Sequence, residues 1–197
     1  IKSIITRENT DVVFLQEVDV NSKRSYGINQ RQLFYDLYED DIQSFATNFL
    51  VDYIPYPFPD TIGKVNSGIL TLNKYQSVSA ERIALPTSFT WPIRAAQLKR
   101  CLLVERVPLE GSDRELVLIN LHLEAYDDGS GKKAQTKVLT ELLISEYEKG
   151  NYCIAGGDFN QTFENTTPNY PVINDDYFEA GIISADFSAL GKTFGQC

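Results

Sequence analysis

"IAGGDFNQTF", residues 154–163, decides how this chain is read. An apolar strand runs into two glycines, and an aspartate and an asparagine follow two residues apart. If the backbone stays extended past the glycines, the strand period of two sends Asp158 and Asn160 to the same side at the end of a buried strand. Gly156 and Gly157 would allow another backbone to approach closely there. The plain alternative is a turn aspartate that caps the segment after it, which needs only one of the two polar residues.

Immediately before this stretch, residues 132–149 carry a helical pattern with Leu139, Leu142, Leu143 and Tyr147 on one face and Gly150 placed as a stop. The buried strand "YCIAG" follows at once. Further back lie four β-rich runs, "NSGILTLNKY" (66–75), "SVSAERIAL" (77–85), "KRCLLVERV" (99–107) and "ELVLINLHLE" (115–124), joined by short turns that suggest antiparallel pairing. "DVVFLQEV" (11–18) is a near-continuous apolar run expected to be covered on both faces, and "INQRQLFYDLYED" after it reads as a helix. Strands flanked by helices at both ends, with antiparallel strands between, give an α/β (α+β) sandwich. The segment 51–64, "VDYIPYPFPDTIGK", holds three prolines and is expected to be an irregular aromatic loop, a wall of a substrate site or a surface loop pinned by its own rings.

The 197 residues are 43 % hydrophobic and 23 % charged, enough for one globular domain with a substantial core. A formal charge of −9 disfavours tight non-specific binding to nucleic acid, whose affinity comes from many basic contacts with phosphates, although Lys99-Arg100 and Lys132-Lys133 leave room for a local phosphate pocket. No apolar run reaches transmembrane length and no basic n-region precedes an apolar stretch, so a cytoplasmic protein is expected. Cys101, Cys153 and Cys197 form no CxxC pattern and fit a reduced interior. The sequence is silent on oligomeric state.

On "VLINLHLE", Val117, Ile119, Leu121 and Leu123 share one face, and Leu118, Asn120, His122 and Glu124 share the other. His122 is the only histidine, which leaves a histidine-rich zinc site unsupported. Glu17, like Asp158, stands at the far end of a buried strand, where an unpaired carboxylate is costly unless a cation, a base partner or a cleft receives it. Oxygen ligands with few soft donors select Mg²⁺ or Mn²⁺, a spare carboxylate can activate water, and a histidine can donate to phosphate oxygens. Together these are the parts of a phosphoester hydrolase.

Taken in order, "DVVFLQEVD", "NSGILTLNKY", "KRCLLVERV", "LVLINLHLEAYD" and "IAGGDFNQ" resemble the endonuclease/exonuclease/phosphatase superfamily, which includes DNase I-like nucleases, sphingomyelinases and inositol polyphosphate 5-phosphatases. The resemblance runs from about residue 11 to about residue 163. It implies a DNase I-like four-layer sandwich, two mostly antiparallel mixed sheets packed face to face with helices outside, and a divalent cation in a cleft at one end. It implies Glu17 as metal ligand, Asp158 and Asn160 as the pair that handles the nucleophilic water and the phosphate, and His122 on the scissile phosphate, with Asn120, Arg100 and Asn66 as further phosphate-site residues. The family also has an opening strand with a metal-site asparagine and a closing Asp-His pair, and the sequence carries neither. The chain is therefore expected to be a subset of one larger domain. A small phosphorylated metabolite or lipid headgroup is the expected substrate, a Mg²⁺-dependent nuclease is the runner-up, and a silent binding member is the third reading.

Overall fold

The computed structural model describes residues 1–91, 93, 97–127, 129–163, 181–183, 187 and 190. A short helix α1 (Lys2–Glu8), closed by Asn9 in the left-handed conformation, leads into β1 (Val12–Asp19), a 3₁₀ turn (Lys23–Ser25) and α2 (Gln30–Leu37). Asn29 starts α2 by accepting a hydrogen bond from the Gln32 amide. Strands β2 (Ile42–Ile54) and β3 (Gly63–Asn73) follow and complete a three-stranded antiparallel sheet in the order β1-β3-β2. Strands β4 (Ser79–Ala84), β5 (Cys101–Pro108), β6 (Glu115–His122) and β7 (Tyr152–Asp158) form the second sheet in that order. Its first three strands are antiparallel, whereas β6 and β7 are parallel because helix α3 (Ser130–Glu148) connects them as a crossover. Two short strands, β8 (Gln161–Thr162) and β9 (Gly181–Ile182), pair in parallel beyond β7.

The expected four layers are present. Phe34, Tyr35 and Tyr38 from the α2 region pack with Val18, Leu70 and Leu72 on the outside of the first sheet. Ala46, Ile69, Cys101 and Leu103 fill the space between the sheets. Leu139 and Leu143 of α3 close the far side over Val117, Ile119, Leu121 and Leu123, the β6 face expected to be apolar. The opposite β6 face is also buried, because it meets the first sheet. Cys101 and Cys153 are free, and Cys197 lies outside the described residues.

Four local expectations change. Regular structure extends to Ile54 in β2, so the irregular segment shrinks to residues 55–62, and its neighbour β3 begins at Gly63. Pairing along β3 over ten register positions keeps Val51 to Ile54 in the sheet, ahead of the first proline. The runs "DVVFLQEV" and "YCIAG" are only partly buried, because β1 and β7 stand at the ends of their strand orders, where fewer neighbours cover them. On α3, Tyr147 is exposed while the polar Gln135, Thr136 and Glu146 are buried. Glu146 is accommodated by Arg106, whose Nη2 lies 2.7 Å from its Oε1, with Lys149 and Asn151 donating as well. This pairing depends on β5 and α3 meeting in space.

Candidate functional site

The site lies where the C-terminal ends of β1, β6 and β7 come together. Three local features aim its residues. First, the β1 register shifts between Leu15 and Val18, and Glu17 sits at the bulge with φ +56°. The bulge turns Glu17 out of the sheet, leaving its side chain 54 % exposed, while Gln16 points inward. Second, Gln16 Nε2 donates to Asn120 Oδ1 at 2.9 Å, and Asn120 Nδ2 donates to the Leu70 carbonyl at 3.0 Å and the Thr71 hydroxyl at 3.3 Å. This fully buried amide ties β1, β3 and β6 together behind the site. Third, β6 and β7 run in parallel register with His122 opposite Asp158. A Cβ on Gly157 would run into the Leu121 carbonyl oxygen, so the close approach expected at the double glycine occurs at Gly157.

The strand does not continue extended through Asn160. It ends at Asp158, and Asn160 is left-handed with φ +51°. Asp158 Oδ1 accepts from the Asn160 amide at 2.8 Å, the Asx turn that the plain alternative foresaw. The turn uses only one carboxylate oxygen: Asp158 Oδ2 stands 3.6 Å from His122 Nε2, and 49 % of the side chain is exposed. Asn160 is placed by the turn and by its own Nδ2, which donates to the Leu123 carbonyl at 2.9 Å.

His122 is almost wholly buried, and its Nδ1 has no hydrogen-bond partner among the described residues. Burial, followed by the neighbouring Arg100 charge, pushes its pKa down to about 4, against the upward pull of Asp158 and Glu17. The imidazole is therefore neutral at pH 7. Arg100 is 4 % exposed, and neither its Nε nor its Nη1 is hydrogen-bonded among the described residues. Burial lowers its pKa from the ordinary guanidinium value, and the charges of Glu124, Glu17 and Asp158 pull it back up. The result is a buried cation with unused donors, facing three carboxylates.

Of the residues singled out in the sequence, Glu17, Arg100, His122 and Asp158 share this field, and Asn160 borders it through the Asp158 turn. Asn120 lies behind them with both ends of its amide engaged by protein, so it is a support and does not reach a ligand directly. Asn66 contributes through its backbone, its carbonyl accepting from Val20 at 2.7 Å and its amide donating to Ser22 Oγ at 3.0 Å.

Two residues escaped the sequence reading. Glu124 shared a strand face with His122 but had no assigned task; it is buried, its Oε1 accepts from the amides of Ala125 and Tyr126, and it faces Arg100. Arg24 gave no periodic signal at all. Its Nη1 donates to Glu17 Oε2 at 2.7 Å, and its Nε and Nη2 reach Asp19. Burial works against the Arg24 charge, but the Asp19 hydrogen bonds and the charges of Glu17 and Asp19 raise its pKa above the ordinary value.

Among the described residues, no three His, Cys, Asp or Glu groups converge on a point that would cage an ion. Mg²⁺ does not require such a cage, because it keeps several waters and is commonly held by one or two carboxylates with a substrate phosphate. Glu17 fits that role, as its carboxylate is turned out by a bulge and Arg24 engages only Oε2.

The sequence model of the Endonuclease/Exonuclease/phosphatase family matches residues 1–185. No curated protein gives a significant match. Among solved structures, a humanized D. rerio TDP2 is similar with 21 % identity and a TM-score of 0.55, covering 88 % of this chain and 58 % of that one. The human Nocturnin catalytic domain with bound sulfate has 18 % identity and a TM-score of 0.54, covering 82 % and 55 %. A Leptotrichia buccalis endonuclease/exonuclease/phosphatase family protein has 16 % identity and a TM-score of 0.54, covering 80 % and 57 %. The chain thus spans somewhat over half the length of these three structures.

Proposed function

The chain belongs to the Endonuclease/Exonuclease/phosphatase family, and from that premise we propose that it is a divalent-metal-dependent phosphoric ester hydrolase in which water attacks phosphorus in line. The observation that carries the reading is Arg100, a guanidinium 4 % exposed with Nε and Nη1 unpaired among the described residues, beside the neutral His122. Unused buried donors are costly, and a phosphate oxygen satisfies them with charge-assisted hydrogen bonds. A Mg²⁺ or Mn²⁺ ion at Glu17 would neutralise phosphate charge.

The remaining work falls to the chain itself. Arg100 binds phosphate oxygens, and His122, uncharged at neutral pH, adds an N–H donor without competing for the cation site. Asp158 is fixed by its Asx turn through Oδ1 and offers Oδ2 to orient the attacking water and receive its proton. Asn160 holds that turn, and Asn120 holds the β6 end from behind. The net charge of −9 favours a small phosphorylated metabolite or a lipid headgroup over duplex DNA.

A second reading, a nuclease for single strands, is favoured by exposed rings on the loops at this end, Tyr56, Phe58, Trp91 and Tyr126, on which bases can stack. D. rerio TDP2 has been solved with a single-strand DNA product.

The test is a screen of the full-length protein with Mg²⁺ against phosphomonoesters, phosphodiesters, single-stranded DNA and duplex DNA, beside Asp158→Ala. Turnover of a small ester that Asp158→Ala abolishes supports the first reading. Turnover confined to single strands selects the second, and activity indifferent to Asp158 removes both. A full-length protein inactive throughout the screen would instead fit a binding member.

A further inference from the structure

Glu17 is well aimed but poorly restrained by its own backbone. The bulge sends it outward at φ +56°, and a half-exposed glutamate there has three free side-chain torsions. What limits it is Arg24, one 3₁₀ turn further along the chain.

We propose that Arg24 is a positioning residue for the cation site, acting through Glu17: it holds Oε2 at 2.7 Å and leaves Oε1 for the cation that Glu17 would bind. The inference rests on the reading of Glu17 as the metal ligand. Arg24 is itself immobilised, because Nε and Nη2 clamp Asp19 at 3.0 to 3.2 Å and Nη2 also reaches Ser67 Oγ at 3.5 Å. Asp19 is buried and held in turn, its Oδ1 accepting from Ser22 Oγ at 2.8 Å and its amide donating to Gln30 Oε1 at 3.0 Å. A chain of fixed groups therefore runs from the sheet to the exposed carboxylate.

Charge decides between positioning and competition. A lone cation beside a metal ligand weakens metal binding, but Asp19 compensates Arg24 at hydrogen-bond distance, so Glu17 keeps its own negative charge for the metal. A carboxylate ligand hydrogen-bonded from behind is the usual way in which a protein orients a metal site, and loss of such a partner typically costs about 10- to 100-fold in affinity. A lysine at this position would keep the charge but lack the planar fork that spans two carboxylates.

The neighbouring residue supplies a control. Lys23 fastens the 55–62 loop, its Nζ donating to Asp60 Oδ1 at 2.8 Å and to the Thr61 carbonyl at 2.6 Å, and among the described residues it forms no ion pair with Glu17 or Asp19.

The experiment measures free Mn²⁺ by electron paramagnetic resonance during titration of the full chain, with thermal melts of the same samples. Arg24→Lys is expected to weaken Mn²⁺ binding at least tenfold, Asp19→Asn, which loosens the anchor from the other side, is expected to weaken it likewise, and Lys23→Met is expected to leave it unchanged. Wild-type affinity in Arg24→Lys, even with a lowered Tm, would make Arg24 a structural residue only. Tighter binding would make it a competitor of the metal, and a loss in Lys23→Met equal to that in Arg24→Lys would reduce the effect to general loosening of the turn. Each of these three results overturns the proposal while leaving the Glu17 reading intact. A wild-type protein that binds no Mn²⁺ overturns both.

Discussion

Gln16 and Asn120 are joined by a 2.9 Å hydrogen bond that crosses between the two sheets, directly behind Glu17 on one side and His122 on the other. Gln16 and Asn120 face inward and are consumed in packing, whereas Glu17, next along β1, and His122, two residues along β6 on the same face as Asn120, border the candidate site.

Replacing Asn120 with alanine removes the acceptor of Gln16 and leaves the Leu70 carbonyl without its buried donor. A buried amide lost in this way costs about 1 to 3 kcal/mol. We expect Asn120→Ala to lower the unfolding free energy in urea by about 2 kcal/mol and to reduce turnover by loosening the distance between Glu17 and His122. A variant with wild-type stability would show that the inter-sheet bond carries no weight.

Arg100 Nε and Nη1 are unpaired among the described residues, and if they take a phosphate as proposed, the charge-assisted hydrogen bonds would contribute about 1.5 to 3 kcal/mol. Arg100→Met is therefore expected to weaken inhibition by inorganic phosphate about 10- to 100-fold while the far-ultraviolet circular dichroism stays unchanged. Inhibition by phosphate that survives this substitution would take Arg100 out of the anion site.

Gly157 combines φ +137° with contact against the Leu121 backbone, so an added methyl would run into a carbonyl that cannot swing aside and would also press on the Gln16 side-chain amide. Gly157→Ala is expected to destabilise the fold by about 3 kcal/mol or more, as for other strained or overpacked positions. Gly27, which also has positive φ but no atom within 4 Å of a Cβ, should tolerate alanine with about 1 kcal/mol of loss. Thermal melts of the two variants compare the effects directly.

Acid should destabilise the protein in two windows. The His122 pKa, held down to about 4 from 6.5, means that the unfolded chain takes up this proton first as pH falls, so stability is full above 6.5 and declines toward 4. Glu146 is held at about 2 from 4.5, first by its hydrogen bond to Arg106, so its contribution is full above 4.5 and is lost as pH falls toward 2. Urea titrations from pH 8 to 2 should lose the lower window in Glu146→Gln, which also costs about 3 kcal/mol by leaving Arg106 short of a partner. A single slope unchanged by that substitution would contradict the assignment.

The β6 face pattern was readable because alternation survives any packing partner: Val117, Ile119, Leu121 and Leu123 meet α3, and Asn120, His122 and Glu124 turn the other way. The helical period of α3 and its stop at Gly150 were readable for the same reason. Strand β2 was not, since a proline-rich sequel obscured its end and its pairing with β3 spans a connection that leaves no local mark. The polarity of α3 likewise misled, because Glu146 can be buried only where Arg106 arrives from β5.

By itself, the sequence determined the alternating faces of β6, the helical run of α3 and the polar groups that stand at the ends of β1, β6 and β7. Tertiary structure alone decided which of those groups became supports and which face the candidate site. Asn120 is enclosed, Asp158 divides its oxygens between a turn and the site, and Arg24 reaches back over one turn to hold Glu17. The reason is physical: periodicity fixes the side of an element on which a residue stands, but the partner that satisfies its hydrogen bonds and charge comes from another element, brought there by the fold.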